Sequence, residues 1–425
     1  MKKLKKILLF ALTFSLTTAV APLTTVKAQE TPPQIYGKAG ITIDAKTGEI
    51  IYANNIDNKM YPASITKVMT ALLLAKNKSK TDTIKYTEEA KKQPADALST
   101  NIFRNIKVGD TLSGEDTMTS LLLFSANDAA YMVADAVGGS SDKFVGMMNS
   151  EAKKLKMKNT HFVTANGLHN PEHYTTPYDL TILGRAAYKN SWVREVMGMK
   201  TASITLSNKT PANIENRNKL VGTNGCVGGK TGYTSPAGRC LMAVFNRNGR
   251  VIVGVVMKSL YNSDDTAVFQ DMKKIVDWSY ATKKTVAISN GTVVAKKTIS
   301  YKPLRFFGPT KTVKVPIVIK QDVSYYDNYI NKKELKKNVS ISNISAWNLS
   351  NTEKVGTLAV SQREYKTNYA LYPTLSSKDI LSKDRPLLIG AIVGVSVCAV
   401  ILLLVIVLIV KGIASRGRRG KNKYY

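Results

Sequence analysis

Residues 61–75, YPASITKVMTALLLA, place a serine three positions before a lysine and follow that lysine with two turns of apolar or small residues. Positions i and i+3 share one face of a helix, so the Lys67 amine can stand beside the Ser64 hydroxyl. Pro62 suits a helix start, and the apolar run buries the helix so that the pair projects into a cleft. A serine becomes a nucleophile beside a base, and a lysine serves as that base once desolvation or a second cation lowers its pKa. Taken alone the spacing says little, because Ser-x-x-Lys recurs by chance in chains of this length.

Two further stretches give it weight. LLLFSANDAA (121–130) sets Ser125 and Asn127 in a loop that interrupts an apolar helical pattern, where a hydroxyl can relay protons and an amide can hold a peptide carbonyl. VGGKTGYTSPAGRC (227–240) sets Lys230, Thr231 and Gly232 at the start of a β region. Glycines there allow close approach of a substrate backbone, and a lysine with a threonine can bind a carboxylate.

The surrounding pattern mixes helix and strand. GITIDAKTGEIIYANN (40–55) reads as a hairpin, two β-branched runs around a Lys-Thr-Gly turn, and RCLMAVFNRNGRVIVGVVMKS (239–259) as a second one turning at Asn248-Gly249. SITKVMTALLLAK (64–76) and EDTMTSLLLFSANDAAYMVADAVG (115–138) carry helical apolar spacing, the latter ended by Gly138 and Gly139. DDTAVFQDMKKIVDWSYA (264–281) is an amphipathic helix with Val268, Met272, Ile275 and Trp278 on one side. Beyond Lys283, TVKVPIVIK, NVSISNIS and KVGTLAV are short alternating strands without a comparable helix. The expected organisation is a catalytic domain over 29–282 and a small all-β domain over 283–384.

The two ends predict export and anchoring. Residues 1–28 have a basic start, an apolar run and small residues at Val26 and Ala28, the pattern of a signal peptide cut after Ala28. Residues 386–410 run without a charge, long enough for one transmembrane helix, and the basic tail 411–425 then stays inside. No Leu-Pro-x-Thr-Gly-like site precedes that stretch, which argues against covalent wall attachment. The formal charge is +31; setting aside five lysines of the signal and six basic residues of the tail leaves +20 outside. On an exported, tethered protein such a surface fits anionic wall polymers or lipid head groups rather than nucleic acid. Three cysteines make no disulfide framework: Cys398 lies in the anchor, while Cys226 and Cys240 can pair or stay free. HNPEH, with His169 and His173, resembles a short metal loop, but no third ligand is indicated and neither Cys226 nor Cys240 has metal-ligand spacing with His161, His169 or His173, so no metal is expected; chemistry with a lysine as base needs no organic cofactor either.

Ser-x-x-Lys, Ser-x-Asn and Lys-Thr-Gly in this order resemble the signature of the penicillin-recognising serine enzymes. KVGDTLSGEDTMTSLLLFSANDAA (107–130), FVTANGLHNPEHYTTPYDLTILGRAA (162–187) and GGKTGYTSPAGRC (228–240) look like the low-molecular-mass penicillin-binding proteins that are D-alanyl-D-alanine carboxypeptidases. The resemblance implies a penicillin-binding/β-lactamase-like α+β domain with a central antiparallel sheet, then the small all-β domain and the transmembrane helix. It implies Ser64 as acylated nucleophile and Lys67 as its base, Ser125 and Asn127 as proton relay and substrate holder, and Lys230 and Thr231 as binders of the terminal carboxylate. The backbone amides of Ser64 and Tyr233 would form the oxyanion hole. Arg217 resembles an arginine near the substrate carboxylate, with a structural salt bridge as the equal alternative. The implied substrates are peptidoglycan stem peptides ending in D-Ala-D-Ala, and β-lactams would acylate the same serine. Residues 161–173 would be a loop at the cleft edge.

Other readings remain. A serine β-lactamase needs a deacylating glutamate, and no Glu-x-x-x-Asn lies between Asn127 and Lys230. A wall-binding scaffold would have no use for the intact three-motif set. A transpeptidase or endopeptidase shares the same acyl-enzyme and stays open. The architecture as a whole points to a single-membrane, Gram-positive cell.

Overall fold

The hairpin over residues 40–55 forms and becomes one edge of a five-stranded antiparallel sheet in the computed structural model, which describes residues 31–421. The signal peptide and the last four residues of the basic tail lie outside the described residues. The strands are β1 (Ala39–Asp44), β2 (Ile50–Asn54), β3 (Cys226–Thr234), β4 (Gly238–Arg247) and β5 (Arg250–Ser259), in spatial order β2-β1-β5-β4-β3. The β4–β5 turn is the expected Asn248-Gly249, with φ of +52° and +83°, the double left-handed geometry a tight hairpin demands. β3, which carries Lys230-Thr231-Gly232, is the opposite edge, so one side of it is free to meet a substrate chain.

Both faces of the sheet are covered. Met242, Val244, Val253 and Val255 join one core with Val68, Met69 and Leu72 of α1 (Lys67–Asn77). Their neighbours Leu241, Ala243, Phe245, Ile252 and Val256 join the other, against α5 (Ala267–Ala281). Alternate residues therefore point to two dry layers, which is why these strands read as continuous apolar runs. Val268, Met272, Ile275 and Trp278 are the buried face of α5, as the spacing of the sequence predicts. Between α1 and α5 lie α2 (Gly114–Thr119), α3 (Asn127–Gly138) and α4 (Pro177–Lys189), the last capped by the Thr176 hydroxyl and opened by a proline.

The second sheet is β6 (Val293–Tyr301), β7 (Lys311–Ile319), β8 (Lys336–Ile341), β9 (Gly356–Gln362) and β10 (Tyr365–Pro373), in order β6-β7-β10-β9-β8. Val315, Ile317, Ile319, Leu358, Val360 and Leu371 fill its own core. A short helix, Tyr329–Glu334, interrupts this part where only strands were expected; six residues are too few to display a helical period, and its start is set by the Asn328 cap.

Asn331 Nδ2 donates to the Ile50 carbonyl at 2.9 Å, and Lys284 pairs with the buried Glu49 at 2.6 Å, tying the second sheet's flank to β2. Arg363, at the β9–β10 turn, grips Asp57 at 2.7–2.8 Å and Glu334 at 2.7 Å. Arg363→Ala should therefore cost about 1–2 kcal/mol, less than a fully buried pair because Asp57 is half exposed. A urea midpoint that falls with the m-value unchanged is the expected readout; an unmoved midpoint would mean that the clamp adds nothing.

The chain leaves the second sheet through α6 (Arg385–Lys421), which contains the uncharged run 386–410. It is the one helix among the described residues long and apolar enough to cross a membrane, and its apolar stretch is unburied.

Candidate functional site

Ser64 does not sit on the regular helix. It lies in a 3₁₀ turn, Ala63–Thr66, that feeds α1 at Lys67. The i to i+3 relation survives, because a 3₁₀ turn also brings those positions together. Ala63 holds φ at +48°, a left-handed conformation that costs a non-glycine residue roughly 1–2 kcal/mol. Such strain beside a nucleophile persists when its surroundings enforce it.

Lys67 is fully buried, and its Nζ stands 2.9 Å from Ser64 Oγ, 2.8 Å from Asn127 Oδ1 and 2.8 Å from the Asn166 carbonyl. The Asn127 amide is oriented by its Nδ2, which donates to the Ala95 carbonyl at 2.7 Å. Two of the three partners are thus acceptors only. When the amine is neutral its two N–H bonds go to them, and the lone pair is left facing the Ser64 hydroxyl. Burial brings the Lys67 pKa down to about 7; Asp96 and Asp128 oppose the fall and Arg217 adds to it.

Ser125 follows a π-helical turn, Ser120–Phe124, and takes φ of +75°, which breaks the pattern ahead of α3 and turns the hydroxyl into the cleft. Lys230, also buried, donates from Nζ to Ser125 Oγ at 2.9 Å and to the Thr231 carbonyl at 3.1 Å. Its pKa lies well below that of a free lysine, chiefly through burial and then through Lys67 and Arg217. The glycine of this motif is required by space. A Cβ on Gly232 would lie 2.9 Å from the Pro62 carbonyl and 3.0 Å from the Ser64 amide nitrogen, so only glycine lets β3 pack against the nucleophile's turn.

The motif residues line one cleft of about 430 Å³, with Ser64, Ser125, Thr231, Gly232 and Tyr233 on its walls. Arg217 is at its rim, 2.8 Å from Asp96 and with its guanidinium 4.6 Å from the Phe124 ring centre, so the salt-bridge alternative is present whatever else the residue does. Asn127 and Lys230 reach the cleft from behind through their contacts with Lys67 and Ser125. All nine residues singled out from the sequence therefore come together.

The segment 161–173 is not a cleft edge. Its Asn166 carbonyl is a Lys67 partner, and Gly167, at φ +81°, lies so near Ala63 that a Cβ would sit 2.0 Å from the Ala63 carbonyl. This loop packs behind the nucleophile's turn, and none of its residues lines the cleft. His173 is buried; its Nε2 meets Thr66 Oγ1 at 2.9 Å and its Nδ1 receives the Val163 N–H at 3.1 Å, and burial pulls its pKa down to about 4. It is a neutral structural histidine, its ring nitrogens already occupied. Cys226 and Cys240 are free buried thiols.

Several residues carry no signal in spacing. Asp128, buried, accepts from the Leu98 and Ser99 amides at 2.8 and 3.2 Å, steadying the segment whose Asp96 carbonyl receives the Asn127 N–H at 2.7 Å. It stands next to Ser-x-Asn, and its adjacency was the only available hint. On the far wall Arg239 lies over the rings of Tyr233 and Tyr261, 5.1 and 4.6 Å from their centres, and pairs with Asp265.

A family described as D-alanyl-D-alanine carboxypeptidase matches residues 25–260. The chain belongs to this family. It is 32% identical over 279 residues to the D-alanyl-D-alanine carboxypeptidase DacC of Escherichia coli K12, covering 63% of this chain and 66% of that protein, just under two thirds of its length. DacF of Bacillus subtilis 168 is 28% identical over 338 residues, 76% of this chain and 81% of that one. Among solved structures, the Streptomyces K15 DD-transpeptidase is similar with a TM-score of 0.54 at 29% identity, covering 59% of this chain and 100% of its own. Residues 31–260 thus have the penicillin-binding DD-peptidase fold, and the second sheet and α6 follow the family match.

Proposed function

We propose that this protein is a serine D-Ala-D-Ala carboxypeptidase that trims peptidoglycan stem pentapeptides through a Ser64 acyl-enzyme and is acylated by β-lactams. The observation that carries this reading is the buried Lys67 amine 2.9 Å from Ser64 Oγ, with its other two partners acceptors only. Lys67 takes the Ser64 proton as Oγ attacks the carbonyl between the last two D-alanines. The oxyanion forms between the backbone N–H groups of Ser64 and Tyr233, whose neighbour Gly232 packs directly on Ser64. The proton passes, with Ser125 as relay, to the amine of the departing D-alanine, and the C–N bond breaks. Water then hydrolyses the ester. Lys230 and Thr231 hold the terminal carboxylate; that negative charge favours the protonated state which burial of Lys230 otherwise disfavours. Asn127 holds both the substrate backbone and Lys67. Arg217 adds positive potential at the carboxylate end.

The chain acts outside the cell, tethered by α6 with its basic tail inside, in a Gram-positive bacterium. Its basic outer surface draws it to anionic wall polymers.

The test is D-alanine release from a stem pentapeptide by the full chain in lipid vesicles, with Ser64→Ala as control. Release that vanishes in the control is the expected result. The similarity over the whole Streptomyces K15 DD-transpeptidase favours one alternative, transfer of the acyl group to an amino acceptor. A cross-linked product formed in place of free acid when a glycine-bearing acceptor is added would establish that reading instead.

A further inference from the structure

Phe306 and Phe307 are 70% and 74% exposed at the tip of the β6–β7 hairpin, in the loop KPLRFFGPT (302–310). They are not stray side chains of a loose loop. The Arg305 amide donates to the Lys302 carbonyl at 3.0 Å, the Phe306 amide to the Leu304 carbonyl at 2.7 Å, and Leu304 and Phe307 pair as a β-bridge. Arg305 at φ +66° and Gly308 at φ +93° close the turn. The two rings are thus held outward by the backbone, against the tendency of apolar surface to leave water.

The hairpin is also fixed to the foot of α6. Asp384, the residue before that helix, is buried and accepts from Tyr301 Oη at 2.8 Å and from Lys311 Nζ at 2.5 Å, the last residue of β6 and the first of β7. Leu304, Arg305 and Trp347 then face Leu388, Ala391, Ile392 and Val395 across an apolar groove of about 480 Å³. From Leu387 to Val395 the helix rises about 12 Å, so the loop runs beside the first turns of the uncharged stretch. Every ionisable group between Gly291 and Lys320 is basic or a tyrosine, and Lys302 and Arg305 stand just ahead of the aromatic pair.

We propose that this loop is a second membrane contact: Phe306 and Phe307 enter the interface of the outer leaflet beside α6, while Lys302 and Arg305 pair with anionic phospholipid head groups. Aromatic rings favour that zone, and cations gain there from anionic lipid. The occupant is a lipid surface because the groove opens onto a helix whose most apolar stretch is left unburied. Two contacts, the helix and the loop, would fix the second sheet's tilt on the membrane and with it the direction in which the Ser64 cleft faces. The proposal rests on α6 spanning the bilayer.

The full chain, with Cys398→Ser to remove the exposed thiol, is reconstituted in phosphatidylcholine vesicles containing about 30% phosphatidylglycerol as the anionic lipid and spin-labelled at Phe306→Cys, at Val395→Cys, or at the distant exposed Lys107→Cys. The expected result is a label at 306 several-fold less accessible to an aqueous nickel complex and more accessible to oxygen than the label at 107, with the 395 label deeper still. A 306 label as nickel-accessible as 107, while 395 reports the bilayer, overturns the loop contact and leaves the span intact. A 395 label open to nickel overturns the span and the proposal together. In phosphatidylcholine alone, or with Lys302→Glu and Arg305→Glu, the 306 label should move outward; no movement would overturn the head-group pairing.

Discussion

Lys67→Ala should slow acylation of Ser64 by roughly 10³-fold, the scale of a lost general base, while wild-type acylation should rise with pH and level off above about 7. The sign follows from which form works. Only the neutral amine can accept the Ser64 proton, and burial holds the Lys67 pKa near 7, so below that pH the rate falls about tenfold per unit as the ammonium form takes over. The limb should vanish in Lys67→Ala. Its position should also respond in opposite directions to two neighbours: Asp96→Asn removes a charge that raises the Lys67 pKa and should move the limb to lower pH, whereas Arg217→Ala should move it higher. Stopped-flow acylation by a fluorescent penicillin from pH 5 to 9 measures all four. A wild-type profile flat across that range, or a Lys67→Ala rate within a few-fold of wild type, would remove Lys67 from the role of base.

Much of this site was legible in the sequence because its parts are local. Ser64 and Lys67 lie within one turn, Ser125 and Asn127 within three residues, and Lys230 to Tyr233 on one strand, and each sits on an element whose apolar pattern is strong. The sheet was legible in pieces: the Asn248-Gly249 hairpin and the α5 face follow from turn chemistry and helical period, but the meeting of β1 with β5 across some two hundred residues is set by packing. What could not be read is what arrives from a distance by backbone. The Asn166 carbonyl donates no side-chain signal, yet it completes the environment of Lys67. Nothing in HNPEH marks His173 as a core residue, and it is burial against Thr66 that makes it one. The wall made by Arg239, Tyr261 and Asp265 gathers residues from a strand and a loop that no motif links. Motifs encode the reacting groups; the shape around them is encoded in contacts between elements.

That distinction makes Gly232 the sharpest test of the shape. Gly232→Ala leaves every reacting side chain in place, yet its methyl would lie 2.9 Å from the Pro62 carbonyl, 3.0 Å from the Ser64 amide nitrogen and 3.1 Å from Ala63 Cβ. The first two are backbone atoms, which cannot rotate aside as a side chain would, so β3 and the nucleophile's turn must separate by a few tenths of an ångström. In the proposed mechanism the two oxyanion donors sit on these two segments, one N–H on each. Separating them weakens the oxyanion site at the transition state, and loss of one such donor costs about 10²- to 10³-fold in rate. The substitution should lower kcat by that order and change KM less, because Lys230 and Thr231 ride on β3 together and keep their geometry to each other, whereas the two oxyanion donors are split between the separating segments. Overpacking should cost about 1–3 kcal/mol of stability, so the loss of rate must be read well below the melting temperature. Gly146→Ala, whose added methyl meets nothing within 4 Å, controls for the chemistry of the change and should leave the rate as it was. A fully active Gly232→Ala would mean that β3 does not supply the second oxyanion donor, and would send the search for it to the other segments packed on the nucleophile's turn.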